Sequence, residues 1–307
     1  MKKVFVSGGA GFVGSSLINV LVKSGLQIVS FDNLSRSSKP YIHNPNVQNI
    51  VGDIKNFNEV SEACSGCDTF FHLAASGNVI DSIKNPIANL ESNVLGTLNC
   101  LRAASANNVN KFIFSSTGGA LMGNTPPPVN EKSIPSPISP YGASKLACEG
   151  YCKAFSSSFG LHTTIFRFAN VIGEFSEHKQ GVINKFYTNL INDKELVIYG
   201  NPSRDFIYVG DLVKGLISGA TANIDAAEIF HLCSGVETKI SEVAEIMAKI
   251  CGKQNFKIKF EDFRDGEVER TFASNQKASE LLNFKCEYDI QAALERTINW
   301  FEIYKSV

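Results

Sequence analysis

The chain has 307 residues, 44% of them hydrophobic, with 29 Lys and Arg against 30 Asp and Glu, for a formal net charge of -1. That length can bury a large core, and so balanced a charge supplies no overall field for nucleic acid or an anionic membrane. No apolar run approaches the ~20 residues of a membrane span, and Met1-Lys2-Lys3 leads directly into a strand-like run without a secretory signal, so a cytoplasmic protein is expected.

From the N-terminus, strand-like runs at 3–7, 27–31, 47–51, 69–73, 111–115 and 163–168 alternate with helix-period segments at 12–23, 58–64, 86–106 and 141–159. Strands alternating with helices predict βαβ units, and therefore a parallel sheet with helices on both faces. The strands are nearly continuous in apolar residues, as in Phe112-Ile113-Phe114, which suits burial on both faces. After about Asn170 the rhythm changes. A polar stretch at 173–181 precedes a helical segment at 182–192 and a short run at 196–199. A helix at 211–218 and a strand at 229–232 read as one more unit returning to the main sheet. Helical 240–250, strand-like 256–260 and helices at 277–282 and 290–304 complete a smaller lobe. The expected division is a dinucleotide-binding part at 1–172, rejoined by 206–235, and a substrate-binding α/β lobe from 173–205 and 236–307.

Gly8, Gly11 and Gly14 stand between the first strand and the first helix. A glycine turn there lets backbone approach a pyrophosphate, while the helix N-terminus supplies N–H donors and the positive end of its dipole. Asp32 ends the next strand. An acid about 20 positions on hydrogen-bonds a ribose 2′-hydroxyl and repels a 2′-phosphate, which favours NAD over NADP. Arg36 argues weakly the other way. Asp53 follows the third strand and could meet the adenine amino group, and Leu73-Ala74-Ala75 ends the fourth with little bulk beside a dinucleotide.

Tyr141 and Lys145 lie one helical turn apart and share a face. A free tyrosine, with a pKa near 10, is a poor base at neutral pH. A nearby ammonium and a cationic nicotinamide would bring it down. Thr117 closes the fifth strand, where its hydroxyl can hold the oxygen that Tyr141 deprotonates. Of the eight cysteines, Cys64 and Cys67 form an isolated CxxC with no second ligand pair, and Cys148 and Cys152 share a helix face. A helix-end turn with two free thiols is expected for the first pair and packing for the second, with no metal.

With these residues together, the chain resembles the extended short-chain dehydrogenase/reductase family almost end to end. The branch it resembles is the NAD-dependent nucleotide-sugar epimerases of the UDP-glucose 4-epimerase type. The matching segments are Gly8-Gly9-Ala10-Gly11-Phe12-Val13-Gly14, Asp32-Asn33-Leu34, Gly52-Asp53-Ile54, His72-Leu73-Ala74-Ala75, Asn93-Val94-Leu95-Gly96-Thr97, Ser115-Ser116-Thr117-Gly118-Gly119-Ala120, Pro140-Tyr141-Gly142-Ala143-Ser144-Lys145, Arg204-Asp205-Phe206-Ile207-Tyr208-Val209 and Arg264-Asp265-Gly266-Glu267.

The resemblance implies a Rossmann-type doubly wound sheet with a smaller substrate lobe, and NAD held tightly. It adds Phe12, Val13, Asn33, Ile54, Asn93, Ser115 and Phe168 to the cofactor site. It implies that Tyr141, assisted by Thr117, takes the proton of the sugar 4-hydroxyl. The C4 hydride passes to NAD and returns on the other face of a 4-keto sugar. Arg204 and Arg264 match phosphate-binding positions, Asn170 and Asn184 substrate-contacting asparagines, and Val197 and Tyr199 a uracil-contacting strand. Asn78 lies in the substrate loop, where a serine is more usual. Gly118 and Gly119 stand where 4,6-dehydratases carry acids, which disfavours water elimination. Met122 replaces a usual tyrosine. Thr271 falls at a gate that is bulky in strict glucose/galactose enzymes, so room for an N-acetyl group is expected. A homodimer through helices near 86–106 and 141–159 is implied as well. The rival readings are a nucleotide-sugar C4 oxidoreductase on the same fold and, more remotely, a non-catalytic NAD sensor.

Overall fold

The computed structural model describes residues 1–36, 42–263 and 268–305. Among them, seven strands form one parallel sheet: β1 (Lys3–Ser7), β2 (Gln27–Asp32), β3 (Val47–Val51), β4 (Thr69–His72), β5 (Lys111–Thr117), β6 (His162–Phe168) and the returning strand Glu228–Leu232. Across the sheet the order is Glu228–Leu232, β6, β5, β4, β1, β2, β3. The chain therefore winds outward from β1 in one direction and from β4 in the other. In such a sheet a ligand crevice opens at the strand C-termini where the order reverses. Here Ser7 and His72 face each other at that point, and Thr117 is registered with Phe168 two strands along.

Alternation along the strands splits the core in two. Phe5 joins Phe31, Phe70 and Phe112 on one face, with ring centroids 5.5, 4.4 and 4.9 Å apart for Phe5–Phe31, Phe5–Phe70 and Phe70–Phe112. Helices Phe57–Ala63, Gly96–Ala106 and Pro140–Phe159 cover that face through Val60, Leu101 and Phe155. Val4, Val6 and Phe71 point to the other face, under Phe12–Leu21 and Val209–Thr221. Cys64, Cys67, Cys148 and Cys152 are all buried and free. Burial pushes the Cys64 and Cys67 thiols up to about 12 and about 11, so neither is a ready nucleophile. Among the described residues, no His, Cys, Asp or Glu cluster could hold a metal, and no helix is long and apolar enough to cross a membrane.

The expected helix at 86–106 is more complex than its periodicity suggests. It runs as Pro86–Leu90, a wider π turn at Glu91–Leu95, then Gly96–Ala106. The bulge coincides with two tertiary demands. Asn93 turns inward to hydrogen-bond Ser76 and Ser144, and Gly96 packs so tightly on Ile54 that a Cβ would stand 2.6 Å from its Cδ1. Beyond the main sheet, Leu196–Tyr199 pairs in parallel with Ile258–Glu261, and Ser203–Arg204 lies between Thr238–Lys239 and Arg270–Thr271. These two-residue strands are too short to leave a sequence signature.

Candidate active site

The glycine turn is close to the minimum that the backbone allows. Gly8 has φ +73°, and a Cβ there would meet the backbone N of Ala74 at 2.7 Å; at Gly14 it would meet the Gly8 carbonyl at 2.0 Å. Gly11 differs: its Cβ position meets only the Gly8 carbonyl, at 3.2 Å, and otherwise opens outward. Gly11 is also the N-cap of Phe12–Leu21 and makes no side-chain cap. The first-turn N–H groups, including those of Val13 and Gly14, thus face a space where an anion can approach backbone closely. Asp32 stands at the tip of β2 and accepts from Ala10 N (3.1 Å) and Leu34 N (2.8 Å). Burial raises its pKa, opposed by these backbone donors. Asn33 donates to Asp53 at 3.3 Å, which brings both to the far end of the cleft. Arg36 is exposed and pairs with Asp81 at 3.4 Å, so it is not directed at a 2′-phosphate.

The catalytic candidates converge at the ends of β5 and the helix Pro140–Phe159. Ser139 starts that helix by accepting from Gly142 N at 3.2 Å, and Pro140 occupies its first turn. Tyr141 is half-buried and shares a hydrogen bond with Thr117. Burial pushes the phenol up to about 12, and the Thr117 bond pulls the other way. The expected lowering by Lys145 is therefore not present in the protein by itself. The ammonium is buried too, which lowers its own pKa, and it donates to the Ser115 carbonyl at 2.8 Å over the Phe114 ring. Below it, Ser115 Oγ donates to the His72 carbonyl at 2.9 Å. Across the cleft, a Cβ on Gly77 would lie 3.9 Å from the Tyr141 hydroxyl.

A pocket adjoins Thr117. Gly118, Gly119, Met122, Asn170, His231 and Thr271 are among its walls. A Cβ on Gly119 would lie 3.6 Å from Thr271 Oγ1, whereas one on Gly118 would crowd the Phe168 carbonyl (3.3 Å) and His231 Nδ1 (3.4 Å). Asn170 donates to the Asp205 carbonyl at 3.1 Å. Val197 and Tyr199 lie on the face of their strand opposite the buried Leu196 and Ile198. Arg204 donates to the carbonyls of Ser203 (2.8 Å) and Glu269 (3.3 Å). Arg264 lies outside the described residues.

Three of the asparagines have evident structural duties. Asn78 caps the helix Val79–Lys84 by accepting from Asp81 N at 3.1 Å. Asn184 braces the carbonyls of Ser176 and Glu177 at 2.8 and 3.1 Å. Asn93 is buried, with both ends of its amide engaged by protein. Asn93 thus acts on the site by holding the Ser76 loop against the Tyr141 helix.

A model of the NAD dependent epimerase/dehydratase family matches residues 4–233. The chain belongs to that family. A putative UDP-glucose 4-epimerase of Methanocaldococcus jannaschii is 34% identical to it, covering 97% of this chain and 98% of the relative. The crystal structure of a UDP-glucose 4-epimerase with UDP-glucose, from Thermotoga maritima, superposes with a TM-score of 0.93 at 30% identity, over 99% of each chain. A UDP-N-acetylglucosamine 4-epimerase of Methanobrevibacter ruminantium, in complex with UDP-N-acetylmuramic acid, does so at 0.91 and 30%, again over 99% of each. The protein is an NAD-dependent sugar-nucleotide epimerase of the extended short-chain dehydrogenase/reductase type. The site fits its cofactor: the turn at Gly8, Gly11 and Gly14 leaves open the position a pyrophosphate needs, and Asp32 keeps lone pairs for a ribose hydroxyl.

Sequence reasoning missed one buried group on the Tyr141 helix. Glu149 and Arg167 form a buried ion pair at 2.8 Å, and Ser116 Oγ donates to Glu149 Oε1 at 2.6 Å. Glu149 is one helical turn past Lys145. That spacing was a usable signal, since Tyr141, Lys145 and Glu149 fall on one stripe.

Proposed function

We propose that the protein is a 4-epimerase that interconverts the gluco and galacto forms of a UDP-N-acetylhexosamine, a UDP-hexose, or both. The observation that carries this is the Thr117–Tyr141 hydrogen bond, one residue from a pocket walled by Gly118, Gly119 and Thr271. In this reading Tyr141 takes the proton from the sugar 4-hydroxyl and later returns it. Thr117 holds the same oxygen, and Lys145 supplies positive charge beneath the ring and holds the nicotinamide ribose. NAD, when bound, accepts a hydride at C4 and gives it back. Arg204, with Arg264, serves the phosphates through its planar donor fork. Asn78, Asn170 and Asn184 line the path of the sugar nucleotide, and Val197 and Tyr199 meet the uracil. The lobe from 173–205 and 236–307 is then the nucleotide-sugar half, and 1–172 with 206–235 the NAD half. Gly118 and Gly119 put no acid at the two positions after Thr117, which disfavours water elimination.

The small Thr271 against Gly119 favours an N-acetyl substituent over a bare 2-hydroxyl. The two substrates, UDP-GlcNAc and UDP-Glc, are incubated separately with the purified protein, without added nicotinamide, and followed by proton NMR at C1 and C4. The galacto epimer is expected from UDP-GlcNAc at the higher rate, and Thr271→Tyr should depress that rate while sparing UDP-Glc. Steady formation or loss of NADH tied to turnover would instead make the protein a C4 oxidoreductase. We also propose a homodimer, formed through the helices near 86–106 and 141–159.

A further inference from the structure

Between the strand Asn170–Ile172 and the helix Val182–Ile191, the chain approaches the first helix at Phe12 and the end of β2 at Asp32. Two consecutive side chains of this crossing reach elements that hold the cofactor. His178 lies close enough to Asp32 for their charges to interact, and its Nδ1 is buried with no hydrogen-bond partner among the described residues. Lys179 is exposed along its length, yet its Nζ stands 5.1 Å from the centroid of the Phe12 ring. Phe12 is the residue after Gly11, at the start of the helix whose N–H groups face the cleft.

The crossing is braced in this position. Lys179 N donates to the Ser176 carbonyl at 3.0 Å, and Asn184 donates to the carbonyls of Ser176 and Glu177. Glu177 turns away and accepts from Trp300 Nε1 at 2.9 Å. The acid of this run therefore faces the lobe, while the two basic residues beside it face the cofactor elements.

Charge explains why this matters. The dinucleotide half presents Asp32 and Asp53, and Arg36 is committed to Asp81. A helix N-terminus contributes only about half a unit of positive charge. No carboxylate among the described residues forms an ion pair with Lys179.

We infer that residues 176–180 form a strap over the bound dinucleotide, in which Lys179 is the counter-ion of its pyrophosphate and His178 a hydrogen-bond partner of its adenosine ribose. The contacts to Phe12 and Asp32 assign both residues to NAD rather than to the diphosphate of the sugar nucleotide. The inference rests on NAD binding alone and requires no particular sugar.

The test uses full-length protein stripped of nucleotide, with calorimetric titration of NAD⁺, ADP-ribose, adenosine and UDP. Lys179→Met should weaken NAD⁺ and ADP-ribose about tenfold or more, as loss of a charge-assisted contact does, and leave adenosine and UDP unchanged. Lys179→Arg should stay near wild type, and Lys179→Gln should follow Met. His178→Phe should weaken adenosine and NAD⁺ alike. Unchanged NAD⁺ affinity in both Lys179→Met and Lys179→Gln overturns the inference, as does a loss that falls on UDP instead. Because no turnover is measured, failure here leaves the epimerase reading standing, and failure of epimerisation leaves this one standing.

Discussion

At the scale of single residues, the phenol of Tyr141 faces a conflict between position and protonation. The Tyr-x-x-x-Lys spacing placed Tyr141 and Lys145 on one helix, and the strand-end position of Thr117 was legible too. Burial, which pushes the phenol up to about 12, was not legible, because it depends on how many distant segments close around one oxygen. The Thr117 hydrogen bond works against burial, so on the proposed reading Thr117 would serve the acid–base step as well as hold the sugar oxygen. Replacing Tyr141 with Phe should lower turnover by ~10²-fold or more while NAD stays bound, to be read by NMR for turnover and by calorimetry for the cofactor. Removing the hydroxyl in Thr117→Val deletes a contribution that lowers the phenol's pKa, so that pKa rises further. The alkaline rise of the pH–rate profile should then move to higher pH. Loss of one hydrogen bond to a developing phenolate corresponds to a fall of about ten- to hundredfold near neutral pH. A profile that drops in height without moving would show that Thr117 only positions the sugar.

At the scale of elements, the catalytic helix is fixed by charge as well as by packing. Glu149 and Arg167, 4% and 3% exposed at their side chains, join the helix Pro140–Phe159 to β6, and Ser116 ties the same carboxylate to β5. Tyr141 and Lys145 point into the cleft because this stripe locks the rotation of the helix. Glu149→Gln should cost about 3–5 kcal/mol, since it leaves the buried Arg167 unpaired, and denaturant unfolding measures this directly. The double variant Glu149→Leu with Arg167→Met should recover much of the loss in stability. If the single variant unfolds at the wild-type midpoint, the pair is not what fixes the helix. The main strands were legible from their apolar runs, and β1 and β3 keep their expected bounds. The π turn at Glu91–Leu95 and the inward Asn93 were not, because they answer to Ile54, Ser76 and Ser144, contacts that no local window contains. The same holds for the strap at 176–180, whose polar composition read simply as a break in the rhythm.

At the scale of the whole molecule, the surface behind the catalytic helix is apolar where a monomer has little reason for it. Ile80, Ile83, Ile87 and Leu90 are exposed on Val79–Lys84 and Pro86–Leu90, and Tyr151 on Pro140–Phe159. These helices pack against one another, so the side chains form a single surface instead of scattered points. A contiguous exposed patch of this kind marks an association surface, and two copies of one chain satisfy it most simply by a two-fold, self-complementary contact. The surface also bears on the chemistry, because Ser82 on the first of these helices accepts from the backbone N–H of Tyr141 at 3.2 Å. The pair Ile83→Glu and Ile87→Glu places carboxylates in the proposed contact without entering the cleft. Light scattering should then report the mass of one chain where wild type reports two. Turnover should fall with dissociation, while NAD affinity changes little, because Ile83 and Ile87 are exposed and neither belongs to the glycine turn. A wild-type chain that is already monomeric at micromolar concentration removes the dimer. A variant that dissociates yet keeps full turnover retains the dimer but shows that Val79–Lys84 holds Tyr141 without help from a second copy.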